Sequence, residues 1–163
     1  MFLFPAVVWA VIVLVGECFY LPGVLFCGVW MRVLRSVRVR FMGVEVECMA
    51  LFDTGAGVTV VQRGFFEKSF GGGWLRLGRP LRLYWINGEF IEVDKYAQVT
   101  LVIDGFELPE VVFVVDEFVG EVVVGGRRVK LPELIVGSGT MDKYGITLDP
   151  KEGVKLTGAT LML

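Results

Sequence analysis

The chain has 163 residues, of which 55% are hydrophobic, a formal net charge of -2 and no histidine. This length suits one domain, and a nearly neutral charge offers no basic surface for nucleic acid. The lack of histidine excludes Ser-His-Asp and Cys-His nucleophile systems and zinc sites that need imidazole. The three cysteines form no C-x-x-C pair, so we expect neither a disulfide framework nor a metal site, and we predict no cofactor.

Residues 1–31 form the first predicted segment, an apolar stretch whose only charged residue is Glu17. A run of about 20 apolar residues can cross a bilayer as a helix, and the arginines that follow would place the rest of the chain in the cytoplasm. Two alternatives stay open. Pro22 and Gly23 could divide the segment into two shorter helices that pack on the domain or lie at an interface. Translation could instead start at Met31 and give a soluble cytoplasmic protein.

Residues 32–163 form the second predicted unit, in which short alternating runs replace the long apolar one. A period of two is typical of strands, and neighbouring runs meet at turn residues that predict hairpins: Met42-Gly43, Asn87-Gly88 and Gly125-Gly126. The segment RGFFEKSF ends at three glycines, which predicts a short helix, and a second helical segment precedes the last strand. The pattern is therefore all-β with one or two short helices.

Several familiar site patterns fail on their spacing. In the GSG that starts at Gly137, Asp142 takes the place of the third glycine of a dinucleotide-binding fingerprint, and no βαβ unit follows. The acids in turns and at strand ends have no metal-binding spacing. No serine lies in an S-x-x-K arrangement. Nucleotide binding, metal binding and Ser-Lys catalysis are therefore not predicted.

Asp53 stands out because it interrupts an apolar run. It follows the strand-forming CMALF and opens the tetrad Asp53-Thr54-Gly55-Ala56, after which the apolar VTVV begins. A carboxylate in an apolar sheet must be paired, since removing its charge from water is unfavourable. Ordinary turns also use Asp and Gly. Such turns face water at a strand end, however, whereas this one lies between two runs that favour burial.

Here the sequence resembles the retropepsin-like aspartic proteases, the single-domain relatives of retroviral proteases. The resemblance rests on ALFDTGAGVTVV around Asp53 and on LIVGSGTMDKYGITLD around Gly137, and it covers roughly residues 37–163. It implies a retropepsin-like acid protease fold, a closed β-barrel-like half with one or two short helices. In this chain the apolar N-terminal helical segment would precede that domain.

The resemblance also implies a homodimer, because one acidic motif is half of an active site. Asp53 of each protomer would meet its counterpart at a two-fold axis, share a proton with it, and act on a water and a peptide carbonyl as general base and general acid. Thr54 would hydrogen-bond to its counterpart across the dimer. Gly55 would let the backbone approach the acid pair, and Ala56 would line the substrate groove.

Three further features of the site follow from the resemblance. Gly137 would let the late apolar strand pass close under the catalytic loop. Gly57 stands where many retroviral members place an acid that contacts the substrate backbone. The hairpin of residues 84–90 would be the flap that closes over the peptide and excludes water, with its substrate contacts at Trp85, Ile86, Asn87 and Gly88.

The first hypothesis is therefore an aspartic endopeptidase that hydrolyses peptide or protein substrates as a homodimer, with a membrane as a further partner. The rival is a non-catalytic dimeric peptide-binding or scaffold module with the same fold. A third hypothesis is a membrane accessory protein whose β domain holds a partner. Intact Thr54, Gly55 and Ala56 beside the acid favour the enzyme, because a binding module has little need for a carboxylate pair.

Overall fold

The N-terminal region has strands where we predicted a helix. The computed structural model describes residues 15–21, 24–84, 90–116, 121–124 and 126–156. Within residues 1–31 it contains an antiparallel pair, β1 (Val15–Leu21) and β2 (Val24–Trp30). The valines and aromatic residues of these segments favour extended backbone, which accounts for the difference. The first half of the predicted helix, residues 1–14, lies outside the described residues.

A long hairpin follows, made of β3 (Arg32–Phe41) and β4 (Val44–Asp53). It turns at Met42 and Gly43, as predicted, and both have positive φ, 48° and 80°. Two-residue turns with positive φ match the right-handed twist of the flanking strands. The register continues unbroken to the far end of the hairpin, where Arg32 lies opposite Asp53.

Two short helices interrupt the strands, as predicted: α1 (Arg63–Phe70) and α2 (Ser138–Tyr144). Each ends at a glycine in the left-handed conformation, Gly71 with φ 73° and Gly145 with φ 63°. Phe66 of α1 is fully buried and ties that helix to the core. In the described part of the chain, no helix combines the length and the apolar character needed to cross a membrane.

Three long strands follow α1 as an antiparallel meander: β6 (Leu75–Tyr84), β7 (Phe90–Ile103) and β8 (Phe106–Val115). β6 and β7 are the arms of the hairpin predicted around Asn87-Gly88, and their last described pair joins Tyr84 to Phe90. Residues 85–89 lie outside the described residues.

The other strands are short: β5 (Val60–Gln62), β9 (Glu121–Val124), β10 (Arg127–Lys130), β11 (Leu134–Gly137), β12 (Ile146–Asp149) and β13 (Gly153–Leu156). β9 and β10 are antiparallel, with Val124 paired to Arg127, so the predicted hairpin is present. Gly125, one of its two turn residues, lies outside the described residues. β12 and β13 form another antiparallel pair after α2.

Six strands close into a barrel in the order β3, β4, β11, β5, β8, β7, because β3 pairs with both β4 and β7. β6 extends the sheet beyond β7. β11 inserts between β4 and β5, parallel to the first and antiparallel to the second. The predicted all-β architecture, with a closed barrel and few helices, is confirmed. The insertion of β11 brings Gly137 beside Asp53.

The core fills both faces of the central strands. Phe52, Leu134 and Val136 belong to one buried cluster, whereas Leu51 and Ile135, their neighbours in sequence, belong to a second one. Strands buried on both faces have nearly continuous apolar sequences, which explains the runs MALF and LIV. The loop that follows Asp53 is therefore adjacent to two strands, β4 and β11, that are packed on both faces.

Candidate functional site

Asp53 ends β4 at the point where three strands meet. It lies opposite Arg32 in the β3–β4 ladder and opposite Gly137 in the β4–β11 ladder. Its side chain is only 12% exposed. A carboxylate so far removed from water needs charged or hydrogen-bonding partners, and residues on both sides of Asp53 supply them.

Both carboxylate oxygens of Asp53 accept hydrogen bonds within the chain. Arg32 Nε donates to Oδ2 at 3.0 Å, and the Gly55 backbone N–H donates to Oδ1 at 2.8 Å. The Arg32 side chain is 20% exposed, so solvent ions screen this pair less than they screen a pair on the open surface. The two bonds fix both the position and the orientation of the carboxylate.

Thr54 is bound to Met31, the residue that precedes β3. The Thr54 N–H donates to the Met31 carbonyl at 3.1 Å, and the Met31 N–H donates to Thr54 Oγ1 at 2.9 Å. The Thr54 hydroxyl also donates to the Met31 carbonyl at 3.4 Å. The first residues of β3 and of its approach thus hold Asp53 and Thr54 together.

The loop after Asp53 turns tightly and is open to solvent. The Ala56 N–H donates to the Asp53 carbonyl at 3.1 Å. Thr54, Gly55 and Gly57 are exposed, and Ala56 is half-buried. A side chain at Gly57 would meet no atom within 4 Å. The carboxylate therefore lies beneath an accessible loop that has room above it.

Gly137 packs against the backbone of this loop. A Cβ built on Gly137 would lie 2.4 Å from the Val58 carbonyl oxygen and 2.7 Å from the Ala56 carbonyl oxygen. The next residue, Ser138, donates its N–H to that Ala56 carbonyl at 2.6 Å. Gly139 makes a similar approach, since its N–H donates to the Gly57 carbonyl at 3.2 Å. The start of α2 thus supports the loop through backbone contacts.

A buried pair of hydroxyl groups supports the same junction. Thr59 Oγ1 and Thr140 Oγ1 lie 2.6 Å apart, and Thr59 Oγ1 also accepts the Gly137 N–H at 3.1 Å. Thr59 is 2% exposed and Thr140 4% exposed. Buried polar groups are stable only when hydrogen-bonded, so these two threonines connect the end of the loop, β11 and α2.

The helix α2 is also anchored to β8. Lys143 Nζ donates to both carboxylate oxygens of the nearly buried Glu110, at 3.0 and 3.1 Å. The Tyr144 hydroxyl donates to the Pro109 carbonyl, and burial raises the pKa of Tyr144 above its ordinary value. The helix that supports the Asp53 loop is therefore itself held by the barrel.

The predicted site residues divide into two groups. Six of them lie together at one end of β4 and β11: Asp53, Thr54, Gly55, Ala56, Gly57 and Gly137. The predicted flap contacts lie outside the described residues: Trp85, Ile86, Asn87 and Gly88. Their roles toward a substrate stay predictions.

Sequence analysis missed several residues that contact this site. The sequence contained a signal for Arg32. The hairpin turn at Met42-Gly43 fixes the register, and counting outward from this turn pairs Arg32 with Asp53. No sequence pattern could have predicted the contact between Thr59 and Thr140, since they are 81 positions apart and meet only after β11 inserts between β4 and β5. Among the described residues, no group of three His, Cys, Asp or Glu side chains could hold a metal ion.

The fold and the site together define an all-β protein with a closed barrel and one buried carboxylate beneath an exposed loop. No protein-family model matches the chain, and no curated protein matches it. A search of solved structures finds it similar to the retroviral protease-like domain of Ddi1 from Leishmania major, with a TM-score of 0.49 and 13% sequence identity. The match covers 78% of this chain and 93% of that domain.

Proposed function

We propose that the chain is a retropepsin-like aspartic endopeptidase that acts as a homodimer. The observation that carries the proposal is the buried Asp53 carboxylate beneath the exposed Asp53-Thr54-Gly55-Ala56 loop, with Gly137 packed against the backbone of that loop. The chain offers no histidine to act as a base at this site. The buried acid at this site is Asp53, so the proposal assigns proton transfer to its carboxylate.

The proposed reaction needs two carboxylates, and a second copy of the chain supplies the second one. Two neighbouring carboxylates do not both ionise readily, so the pair holds one proton between them. The ionised member removes a proton from a water whose oxygen attacks the peptide carbonyl carbon. The protonated member gives its proton to the carbonyl oxygen. When the C–N bond breaks, the leaving nitrogen takes up the proton that the base removed, and one hydroxyl of the diol intermediate returns a proton to the acid pair.

The neighbouring residues have proposed roles in the dimer. Thr54 meets its counterpart and holds the two loops in register, and Gly55 keeps the backbone close to the acid pair without a Cβ clash. Ala56 and Gly57 line the substrate groove, where the open space above Gly57 admits a peptide backbone. The hairpin between β6 and β7 closes over the substrate and excludes water. Attachment of the chain to a membrane stays a prediction.

One observation favours the rival function, a dimeric module that binds peptides without cleaving them. Asp53 is already paired with Arg32 within a single chain, so its burial has a structural explanation that needs no chemistry. Cleavage of peptides distinguishes the two functions.

The test is Asp53→Asn in the full-length chain, assayed against a mixed peptide library over a range of pH. We expect the Asp53→Asn protein to fold and dimerise but to cleave at least about a thousandfold more slowly, because an amide cannot take or give the proton. Asp116→Asn is the matched control, since Asp116 is an exposed acid that pairs with Arg63 at the barrel surface. Cleavage by the Asp53→Asn protein at the wild-type rate would refute the proposal.

A further inference from the structure

The residues before β3 and at its start bind the groups that a second copy would need. Arg32 donates to Asp53 Oδ2, and Met31 makes hydrogen bonds with both the N–H and the hydroxyl of Thr54. In the proposed dimer, these same groups of Asp53 and Thr54 face their counterparts. One set of hydrogen-bonding groups therefore has two competing sets of partners.

The competition at Asp53 is electrostatic as well as geometric. Arg32 Nε lies 3.0 Å from Asp53 Oδ2, and the two side chains are only 20% and 12% exposed, so water competes little with this charge-assisted hydrogen bond. The proposed acid pair instead needs one proton between two carboxylates. While Arg32 Nε donates to Asp53 Oδ2, this oxygen has a competing partner for the proton that the pair would share.

The competition at Thr54 is one of hydrogen-bonding capacity. Its N–H has one hydrogen to donate, which goes to the Met31 carbonyl at 3.1 Å. Its hydroxyl has one hydrogen as well, and this hydrogen points to the same carbonyl. A counterpart can therefore receive neither of these hydrogens unless Met31 moves. Because Met31 and Arg32 are adjacent in the chain, they move together.

We propose that Met31 and Arg32 form an intramolecular clamp that holds Asp53 and Thr54 in a resting form of the single chain. Docking of a second copy displaces the clamp, and Asp53 passes from Arg32 to its counterpart. This inference rests on the proposed function, because that function supplies the second copy. Arg32 is thus a positioning residue that opposes formation of the acid pair by stabilising the single chain.

The test compares full-length wild-type protein with Arg32→Gln, by sedimentation for the dimer dissociation constant and by peptide cleavage at low protein concentration. We expect Arg32→Gln to dimerise about tenfold more tightly, the size of one charge-assisted hydrogen bond, and to cleave faster at equal concentration. Arg38→Gln is the matched control, since Arg38 is an exposed residue of β3 that pairs with Glu45. It should leave both measurements unchanged.

Energetic coupling between Arg32 and Asp53 distinguishes the clamp from a merely structural role of Arg32. If the clamp acts through the carboxylate, the gain from Arg32→Gln disappears in the Asp53→Asn background, so the two substitutions are not additive. Met31→Pro removes the N–H that donates to Thr54 Oγ1. It should tighten dimerisation in the same direction and serves as a second variant if Arg32→Gln does not fold.

The outcomes separate the clamp from the protease. Cleavage by wild type with no gain in dimerisation for either folded variant would overturn the clamp and leave the proposed function standing. Tighter dimerisation of Arg32→Gln without cleavage by any variant would support the clamp and overturn the protease. A gain that persists in the Asp53→Asn background would also overturn the clamp.

Discussion

At the level of single residues, position 137 requires glycine because there is no space for a side chain, and not because of its backbone conformation. Gly137 has ordinary extended backbone at the end of β11, with φ -87°, so its conformation alone does not require glycine. The requirement comes from the Val58 and Ala56 carbonyl oxygens, which lie where a Cβ would stand. Both obstacles are backbone atoms, which cannot rotate away as a flexible side chain can.

Gly137→Ala should therefore destabilise the protein, by about 3 kcal/mol, through overpacking against a rigid loop. The measurement is the free energy of unfolding from denaturant titration followed by circular dichroism. Gly57→Ala is the control, because its Cβ would meet open space and should change stability by less than about 0.5 kcal/mol. Equal stability of the two variants would show that the loop yields easily, contrary to the close packing at Gly137.

The pairing of Arg32 with Asp53 follows from the register of the β3–β4 hairpin. The turn at Met42-Gly43 was predicted, and a two-residue turn fixes which residues pair along both strands. Counting outward without a bulge places Arg32 beside Asp53. The sequence alone does not show that the register holds for all ten pairs. A single bulge would have turned the Arg32 side chain to the face of the sheet opposite to Asp53.

At the level of elements, the Thr59 and Thr140 hydroxyls link segments that are distant in sequence. Thr59 precedes β5, Gly137 ends β11 and Thr140 lies in α2, yet one hydrogen-bonded group joins all three. The loop that carries Asp53 is thereby fixed at its far end, as Arg32 and Met31 fix its near end.

Thr59→Val should lower the free energy of unfolding by about 2 kcal/mol or more, because it leaves the Gly137 N–H and the Thr140 hydroxyl buried without their partner. Thr59→Val with Thr140→Val should destabilise less than the sum of the single variants, since the double variant removes one unpaired hydroxyl. Thr147→Val, at an exposed strand position, is the control. Urea titration measures all of these proteins. Additive effects would mean that the two hydroxyls act independently.

The N-terminal segment shows that composition alone does not identify the type of secondary structure. Hydropathy indicates that a segment avoids water, and it does not distinguish a helix from two short strands when valine and aromatic residues dominate. The pairing of β1 with β2 satisfies backbone groups between segments rather than within one. That choice depends on which partner strand lies within reach, which is a tertiary property.

At the level of the whole molecule, closure of the barrel buries residues that a single hairpin would leave exposed. Cys48 of β4 is 8% exposed and belongs to the main core cluster. Burial, with smaller effects from Glu133 and Glu47, raises the pKa of the Cys48 thiol from 9.0 to about 12. Ionisation of this thiol is therefore disfavoured in the folded barrel.

The pH dependence of stability follows in sign from this shift. The folded pKa of Cys48 lies above the unfolded value of 9.0, so its contribution to stability is complete below pH 9.0 and is lost as the pH rises toward about 12. The loss should reach about 1.4 kcal/mol per pH unit in that window. Denaturant titrations of wild type and Cys48→Ala at several alkaline pH values test it. Parallel curves for the two proteins would contradict a role for Cys48.

Local patterns in the sequence were enough to predict the all-β class, the turn at Met42-Gly43, the β9–β10 hairpin, both short helices and the position of Asp53 between two runs that favour burial. These properties depend on local propensity and on periodicity, which any short window of the chain contains. The assembled barrel was needed to show that β11 inserts between β4 and β5, that Thr59 meets Thr140, and that Arg32 and Met31 hold Asp53 and Thr54. Contacts of this kind arise when the barrel closes, because closure brings distant segments together and no local pattern records which ones will meet.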